Sequence, residues 1–515
     1  MEAQVYYEYY SFNGADFFTL VLKPDKVGKF PVVVTRSPYV GNTTEKTEEE
    51  LAQQFKNSNI GWAENGYAIV FQHCRGQGKS TGDFVPYIHE REDGIRLREW
   101  IRKQPFYNGT LLLYGGSYTA SLHYSTAPFE EDIKGAVFNV QDNERYRLWY
   151  RNGNMRRGHA NWHFNLYKAK SDLKKVHTAD SFSELPIKNL SERVLGDRAE
   201  DFEQMLSAPD FEHPFWKTRF GGAEARGAVS EANIPVLLTT GYNDYYVGGM
   251  FRMWEELNEE TKSKSAFLVS PYNHGDTYYK ENGICFSDGS CIEHFGDDYR
   301  IKWFDSIIKN EKPFVKTGKI TYYRTFENRW ETDFYSDTPK EMSIPLGETE
   351  KTFVYNPKTP AAFNPEGCFM NEPAPRDDVV SIYTKPFKTD AFVKGRMKMK
   401  LTVVSDCEDT SFYVMIGICT KDGDYALRHD ITSLIYQKGN YTPGSKVSLD
   451  LVFDEYAFKI KEGQKLRIDI ASTDKNTYVC HSNIKGEYCS IENCKTANNK
   501  VFLAESCLIL PIEDI

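Results

Sequence analysis

The sequence predicts an α/β chain: a mostly parallel sheet covered by helices, interrupted by a helical insertion and followed by an all-β domain of jelly-roll type. Three observations predict it. Strand-like and helix-like segments alternate in the first 145 residues, the residues from about 146 to 230 lose their β runs, and the residues beyond about 339 lose their helix signals.

The elements follow in order. FPVVVTRSPY is an apolar, β-branched run that ends in a turn, and GYAIVFQHCRG is a second. In REDGIRLREWIRKQ, Ile95, Leu97, Trp100 and Ile101 recur at helical spacing. GTLLLYGGSYTASLHYSTA reads as strand, sharp turn and helix, and IKGAVFN as another short strand. YRLWYRNGNMRRGHANWHFNLYKAK is helical and aromatic in character, without β interruption. IPVLLTTGYND and KSAFLVSPYNH then return to the strand-then-turn pattern. RMKMKLTVVSD, SFYVMIGICT, KVSLDLVFD, QKLRIDIAS and VFLAESCLILP alternate as strands between Gly, Pro, Asn and Asp turns. The expected division is residues 1–145 and 231–338 for the two parts of the α/β domain, 146–230 for a helical cap, and 339–515 for the β-sandwich.

A chain of 515 residues exceeds the size at which one core stops growing, so several domains are expected. The net charge of -10 argues against nucleic acid and anionic lipid as partners. No apolar run reaches membrane-spanning length, and MEAQVYYEYYSFNG lacks the basic-then-apolar pattern of a secretory signal, so a cytoplasmic protein is expected. Ten cysteines, seven of them beyond residue 360, read as reduced thiols. Cys480, His481, Cys489 and Cys494 form the one cluster with partial zinc-like spacing, and no metal or cofactor is expected there or elsewhere.

The chemistry points to Gly115-Gly116-Ser117-Tyr118, set between a strand and a helix. A nucleophilic serine at such an elbow needs small neighbours because the backbone is strained and the helix packs close. Gly115 meets that need, whereas Thr119 stands where the general G-x-S-x-G pattern has glycine. Asp244 follows IPVLLTTGYN and His274 follows AFLVSPYN, so all three residues fall just past strand ends. The order Ser, Asp, His is the one used by the α/β-hydrolase fold. Each is an ordinary turn or cap residue when taken alone; together they predict a nucleophile, a general base and an orienting acid. The Tyr118 amide and a group from the Ser37-Pro38-Tyr39 loop are the candidate oxyanion donors.

TRSPY, GYAIVFQHCRGQGKSTGDF, GGSYTA, GYND and PYNH, in this order, resemble the cocaine esterase and X-prolyl dipeptidyl aminopeptidase family. NRWET, FVYNPKTP and DDVVSIYT extend the resemblance over nearly the whole chain. It implies an α/β-hydrolase domain with a helical cap and a C-terminal jelly roll. It also implies Ser117, Asp244 and His274 as the triad, with Tyr39 and the Tyr118 amide as oxyanion donors. Two departures stand out. Ala120 replaces the family's usual glycine. Tyr245, Tyr246 and Val247 stand where the α-amino-acid ester hydrolase branch has acidic residues, which lowers the expectation of an α-amino acyl substrate. The aminopeptidase branch typically carries an extra N-terminal domain, and this chain starts almost at the hydrolase domain, which favours an esterase. Gly78-Lys79-Ser80-Thr81 imitates the end of a phosphate-binding loop, but His73 stands where that motif needs glycine.

The leading expectation is therefore a serine esterase acting on a small-molecule ester, with Tyr118, Tyr146, Trp149, Trp162, Tyr245 and Tyr246 lining an aromatic pocket. The alternative is an X-prolyl dipeptidyl peptidase or amide acylase on the same triad, taking a short peptide and holding its free amine with Asp142 or Glu144. A third reading is a non-catalytic binding protein. The sequence leaves a homodimer open.

Overall fold

The computed structural model describes residues 2–513 other than 42, 143, 169–186, 188, 197, 219–229, 336–337, 373–375 and 487–492. A ten-stranded sheet forms the first architectural unit. Its strands are β1 (Ala3–Phe12), β2 (Ala15–Pro24), β3 (Phe30–Ser37), β4 (Ala68–His73), β5 (Tyr107–Gly116) and β6 (Ile133–Asn139). After a two-strand ribbon of β7 (Tyr150–Arg151) and β8 (Asn154–Met155), the sheet continues with β9 (Val236–Gly241), β10 (Ala266–Ser270), β11 (Lys319–Arg324) and β12 (Arg329–Thr332). The order is β1-β2-β4-β3-β5-β6-β9-β10-β11-β12, parallel from β4 to β11 with antiparallel strands at both ends.

The central strands read as continuous apolar runs because both of their faces are covered. Their two-residue period divides them between two cores. Val32, Val34, Leu111 and Leu113 enter one core, while Val33 and Leu112 enter the other. The helix α1 (Glu48–Glu64) covers the second face, opened by a reciprocal cap between Thr47 and Glu50. The helix α2 (Glu90–Arg102) buries Leu97 and Ile101 on the first. Beneath it Arg36, fully buried, is neutralised by Glu90 at 3.0 Å and Asp93 at 3.7 Å. That pairing ties the end of β3 to α2.

Asn-Gly turns build two hairpins absent from the sequence reading. Asn13-Gly14 joins β1 to β2, and Asn152-Gly153 joins β7 to β8 inside the helical insertion. All four residues have φ between 44° and 81°, as a tight hairpin turn requires. No described helix is long and apolar enough to cross a membrane.

Residues 340–513 form two further antiparallel sheets, of eight and four strands, that enclose Leu401, Val414, Leu451, Ile468 and Leu508. This all-β unit is bolted to the rest by buried charge. Arg151, in the ribbon, pairs with Asp430 at 2.7 Å and Asp454 at 3.0 Å and donates to the Val452 carbonyl at 2.8 Å. Arg428 pairs with Glu366 at 2.6 Å and donates to the carbonyl oxygen of Tyr242, just beyond β9. Removing one member of such a cluster strands the others without compensation. Arg151→Met is therefore expected to destabilise the protein by about 3–5 kcal/mol in chemical denaturation. A loss below about 1 kcal/mol would show that solvent, not Arg151, balances Asp430 and Asp454.

Candidate active site

The carboxyl ends of β3, β5, β6, β9 and β10 lie side by side, and the loops that leave them meet at one rim. At the end of β5 the chain turns sharply into the helix α3 (Tyr118–Tyr124). Ser117 occupies the turn with φ 55° and ψ -134°, a region that costs a non-glycine residue of order 1–3 kcal/mol. Its N–H is held by the Asn139 carbonyl at 2.9 Å, and its own carbonyl accepts from Ala120 at 3.0 Å. Gly115 is obligatory here, since a Cβ would fall 2.3 Å from the Thr119 carbonyl oxygen. Thr119 is accommodated because its hydroxyl turns inward, accepting from the Gly116 N–H and donating to the Gly116 carbonyl, both at 2.7 Å. It closes the elbow with a side chain where the general motif uses glycine.

Asp244 sits in the turn after β9 and is fully buried. One carboxylate oxygen accepts from the Tyr246 N–H at 2.9 Å, and the other faces His274 Nδ1 at 2.9 Å. With Nδ1 engaged, the ring offers Nε2 for proton transfer. Burial opposes a charge on His274, but the charge and hydrogen bond of Asp244 outweigh it and raise the imidazole above its ordinary value. The ring of Tyr245 stacks on His274 at 5.5 Å, with 18° between planes.

Ser117 and His274 line one cavity of about 340 Å³ together with Tyr39, Tyr118, Tyr245 and Tyr246. Tyr39 leaves the loop after β3, with its N–H donating to Ser37 Oγ at 2.9 Å. Its phenol oxygen accepts from the Trp162 indole N–H at 3.1 Å, and the phenol shares the cavity wall with Ser117 and Tyr118. Burial raises this phenol, its polar neighbours Ser117 and Trp162 lower it in part, and the net shift is upward, so it stays protonated as a donor. The Tyr118 phenol serves elsewhere: it donates to Glu90 at 2.8 Å and accepts from the Tyr87 N–H at 2.9 Å.

Of the residues expected in an aromatic pocket, Tyr118, Trp162, Tyr245 and Tyr246 line the cavity, whereas Tyr146 and Trp149 do not. Both of the latter belong to the core of the inserted region. Tyr146 stacks on Tyr150 at 5.5 Å and donates to the Pro209 carbonyl, and Trp149 packs edge-on against Phe202 and His163. Proximity in sequence to the elbow misplaced them, because the short helix that carries them, Arg145–Trp149, turns its aromatic face into the insertion. Asp142 and Glu144 are likewise committed. Asp142 pairs with Arg252 at 2.5 Å and accepts from the Glu144 N–H, and Glu144 pairs with Arg147 at 2.6 Å. Neither lines the cavity.

Tyr87, Gln141 and His159 line it without having been foreseen. The one signal that could have found His159 is the spacing of His159, Trp162 and His163, which puts them on one helical face. His481 bonds Asp409 through Nε2 at 3.2 Å and accepts from the Asn483 N–H through Nδ1, so both ring nitrogens are occupied. Cys489, the fourth member of that cluster, lies outside the described residues.

A strained serine at a β-α elbow, facing a cavity it shares with a carboxylate-bound histidine, marks the chain as a serine hydrolase of the α/β-hydrolase fold. The model of the X-Pro dipeptidyl-peptidase (S15) family matches residues 14–276, and that of the X-Pro dipeptidyl-peptidase C-terminal non-catalytic domain matches residues 310–505. The chain belongs to the X-Pro dipeptidyl-peptidase (S15) family. It is similar to the cocaine esterase of Rhodococcus sp. (strain MB1 Bresler), at 23% identity with 95% of each chain covered. Among solved structures it resembles an aminopeptidase from a marine sediment archaeon of the Thaumarchaeota (TM-score 0.81, 17% identity, 99% and 97% covered). It also resembles an α-amino acid ester hydrolase (0.80, 14%, 99% and 97%) and a CocE/NonD family hydrolase from Staphylococcus aureus (0.69, 16%, 99% and 93%). At these identities the structural likenesses show the fold.

The raised imidazole has a kinetic consequence. A general base must be neutral, so kcat/KM is expected to fall as pH drops through the His274 pKa, with an acid limb above the ordinary 6.5. Asp244→Asn leaves burial unopposed, so its residual activity, about 10⁴-fold lower, should have its acid limb displaced downward. A pH-rate profile with the limb unmoved in the variant would separate His274 from the essential base.

Proposed function

We propose that the chain hydrolyses an uncharged carboxylic ester through an acyl-enzyme on Ser117, with His274 as general base and acid and Asp244 as its orienting partner. The observation that carries this reading is the shared cavity: the Ser117 side chain, the phenol of Tyr39 and the His274 ring converge there, and His274 is tied to Asp244 at 2.9 Å. Ser117 Oγ attacks the substrate carbonyl carbon while His274 Nε2 removes its proton. The oxyanion that forms is held by the Tyr118 N–H and the Tyr39 hydroxyl. The intermediate collapses, His274 returns the proton to the leaving alkoxide, and water repeats the sequence to release the acid.

The ester reading, rather than a peptide with a free amine, is supported by the cavity wall. Its described lining residues include no carboxylate, and Asp142 and Glu144 are consumed by Arg252 and Arg147. An ammonium group would be desolvated there without a counter-charge. The name of the Rhodococcus relative, an esterase, points the same way. The nine described cysteines are all free, which supports a reducing, cytoplasmic setting.

Fluorophosphonate labelling of wild type beside Ser117→Ala tests the nucleophile, followed by turnover of aryl esters and of prolyl dipeptide anilides. Labelling that is lost in Ser117→Ala, with ester hydrolysis well above anilide hydrolysis, is the expected result. A preference for the anilides would transfer the assignment to a dipeptidyl peptidase. Tyr39→Phe is expected to lower kcat about 10²- to 10³-fold on the preferred substrate. An undiminished kcat would remove its hydroxyl from the oxyanion site.

A further inference from the structure

Of the two oxyanion donors, the Tyr118 N–H belongs to the backbone of the elbow, whereas the Tyr39 hydroxyl is the end of a side chain. Tyr39 stands 46% exposed in the loop after β3, where a phenol C–O–H is free to turn toward solvent. What reaches its oxygen comes from the inserted region. The Trp162 indole N–H, carried by the helix Arg157–Lys168, donates to it at 3.1 Å. Both side chains line the cavity that contains Ser117 and His274.

The chemistry of that bond fixes its direction. An indole N–H donates and never accepts, so the phenol oxygen is the acceptor and its single O–H proton is not spent on Trp162. The proton stays available to an acceptor in the cavity. Donation to the oxygen also polarises the O–H and makes it a better donor. The indole is itself pinned. The His159 ring stacks on it at 4.8 Å with 28° between planes, and the Tyr118 and Tyr87 rings pack against it. His159 is held through Nδ1 by the Tyr246 hydroxyl at 3.2 Å, and the Tyr246 N–H donates to Asp244. A chain of contacts thus runs from the orienting acid, across the inserted helix, to the oxyanion donor.

We propose that Trp162 is a positioning residue for the oxyanion site: its N–H places the Tyr39 oxygen and commits the proton of that hydroxyl to the developing oxyanion. This deepens the ester reading above and rests on it. Trp162 touches no reacting atom and adds no step to the reaction. A ring that only roofed the cavity would act on substrate binding. A bond that aims another donor acts on charge that exists only in the transition state, and so on kcat. Acylation and deacylation both pass through an oxyanion, so kcat reads the bond whichever of the two limits turnover.

The test removes the N–H and keeps the ring. Trp162 is replaced by its benzothiophene analogue, in which sulfur takes the place of the N–H, both in wild type and in Tyr39→Phe, and nitrophenyl acetate turnover is measured. The analogue is expected to lower kcat about tenfold with KM held within about twofold. In the Tyr39→Phe background, where no hydroxyl remains to be placed, it should change kcat about twofold or less. Trp162→Phe gives the same comparison with natural residues, and the ratio between backgrounds cancels any loss of packing common to both. Fluorophosphonate labelling of wild type is run first. A folded protein that does not label overturns the serine chemistry beneath this proposal, and an undiminished kcat in Tyr39→Phe removes the hydroxyl that Trp162 would hold. A protein that labels and depends on Tyr39, yet keeps its kcat with the analogue, loses only in KM, or loses kcat by the same factor in both backgrounds, overturns the positioning role alone.

Discussion

The hydrogen bond between His274 Nδ1 and the buried carboxylate of Asp244 is the joint that the rest of the molecule serves. A carboxylate with no exposure is held by two donors, the imidazole and the Tyr246 N–H, and both come from chain that must be placed to within a few tenths of an ångström. Parallel strands supply the first level of that placement. β9 and β10 are neighbours in register, so the turns that follow Gly241 and Ser270 emerge together. Gly241 permits the close approach, since a Cβ there would meet the Tyr272 carbonyl oxygen at 2.1 Å. The all-β unit supplies the second level. Arg428 grips the Tyr242 carbonyl, and the Asn243 amide donates to Pro271 at 2.7 Å and to the Tyr425 hydroxyl at 3.3 Å. A unit with no reacting group of its own thus braces the turn that carries the acid.

The inserted region acts on the same site from above. Trp162 touches Tyr39 through its indole N–H and packs against Tyr118 and Tyr87 at 5.4 and 6.2 Å, so one side chain of the insertion both orients the phenol and roofs the cavity. Ring packing of this kind gives shape and apolar surface without charge. The region is fixed in turn by its Asn-Gly ribbon, whose Arg151 reaches Asp430 and Asp454 in the all-β unit. All three parts of the chain therefore converge on one small space.

How much of this was legible depended on how local each signal was. Ser117, Asp244 and His274 could be read because each stands directly after an apolar strand, where topology alone brings residues to a common rim. Thr119 hid the elbow from a strict motif, and only the structure shows its hydroxyl folded onto Gly116. The Asn-Gly hairpins were legible and went unread. Tyr146 and Trp149 were misplaced because helical rotation, not distance along the chain, decides which way an aromatic ring faces. Arg428 lies 186 positions from the carbonyl it holds, so no local pattern could announce it.

The claim that most needs testing is that turnover passes through an ester on Ser117. An aryl ester mixed with wild-type protein, acid-quenched within the first turnovers and mapped by peptide mass spectrometry, addresses it directly. The account predicts a mass increase equal to the acyl group on the peptide that contains Ser117, appearing and decaying at rates compatible with turnover. An active enzyme whose acyl group is found on another residue, or that turns over with no acyl adduct under conditions where deacylation limits the rate, would contradict it.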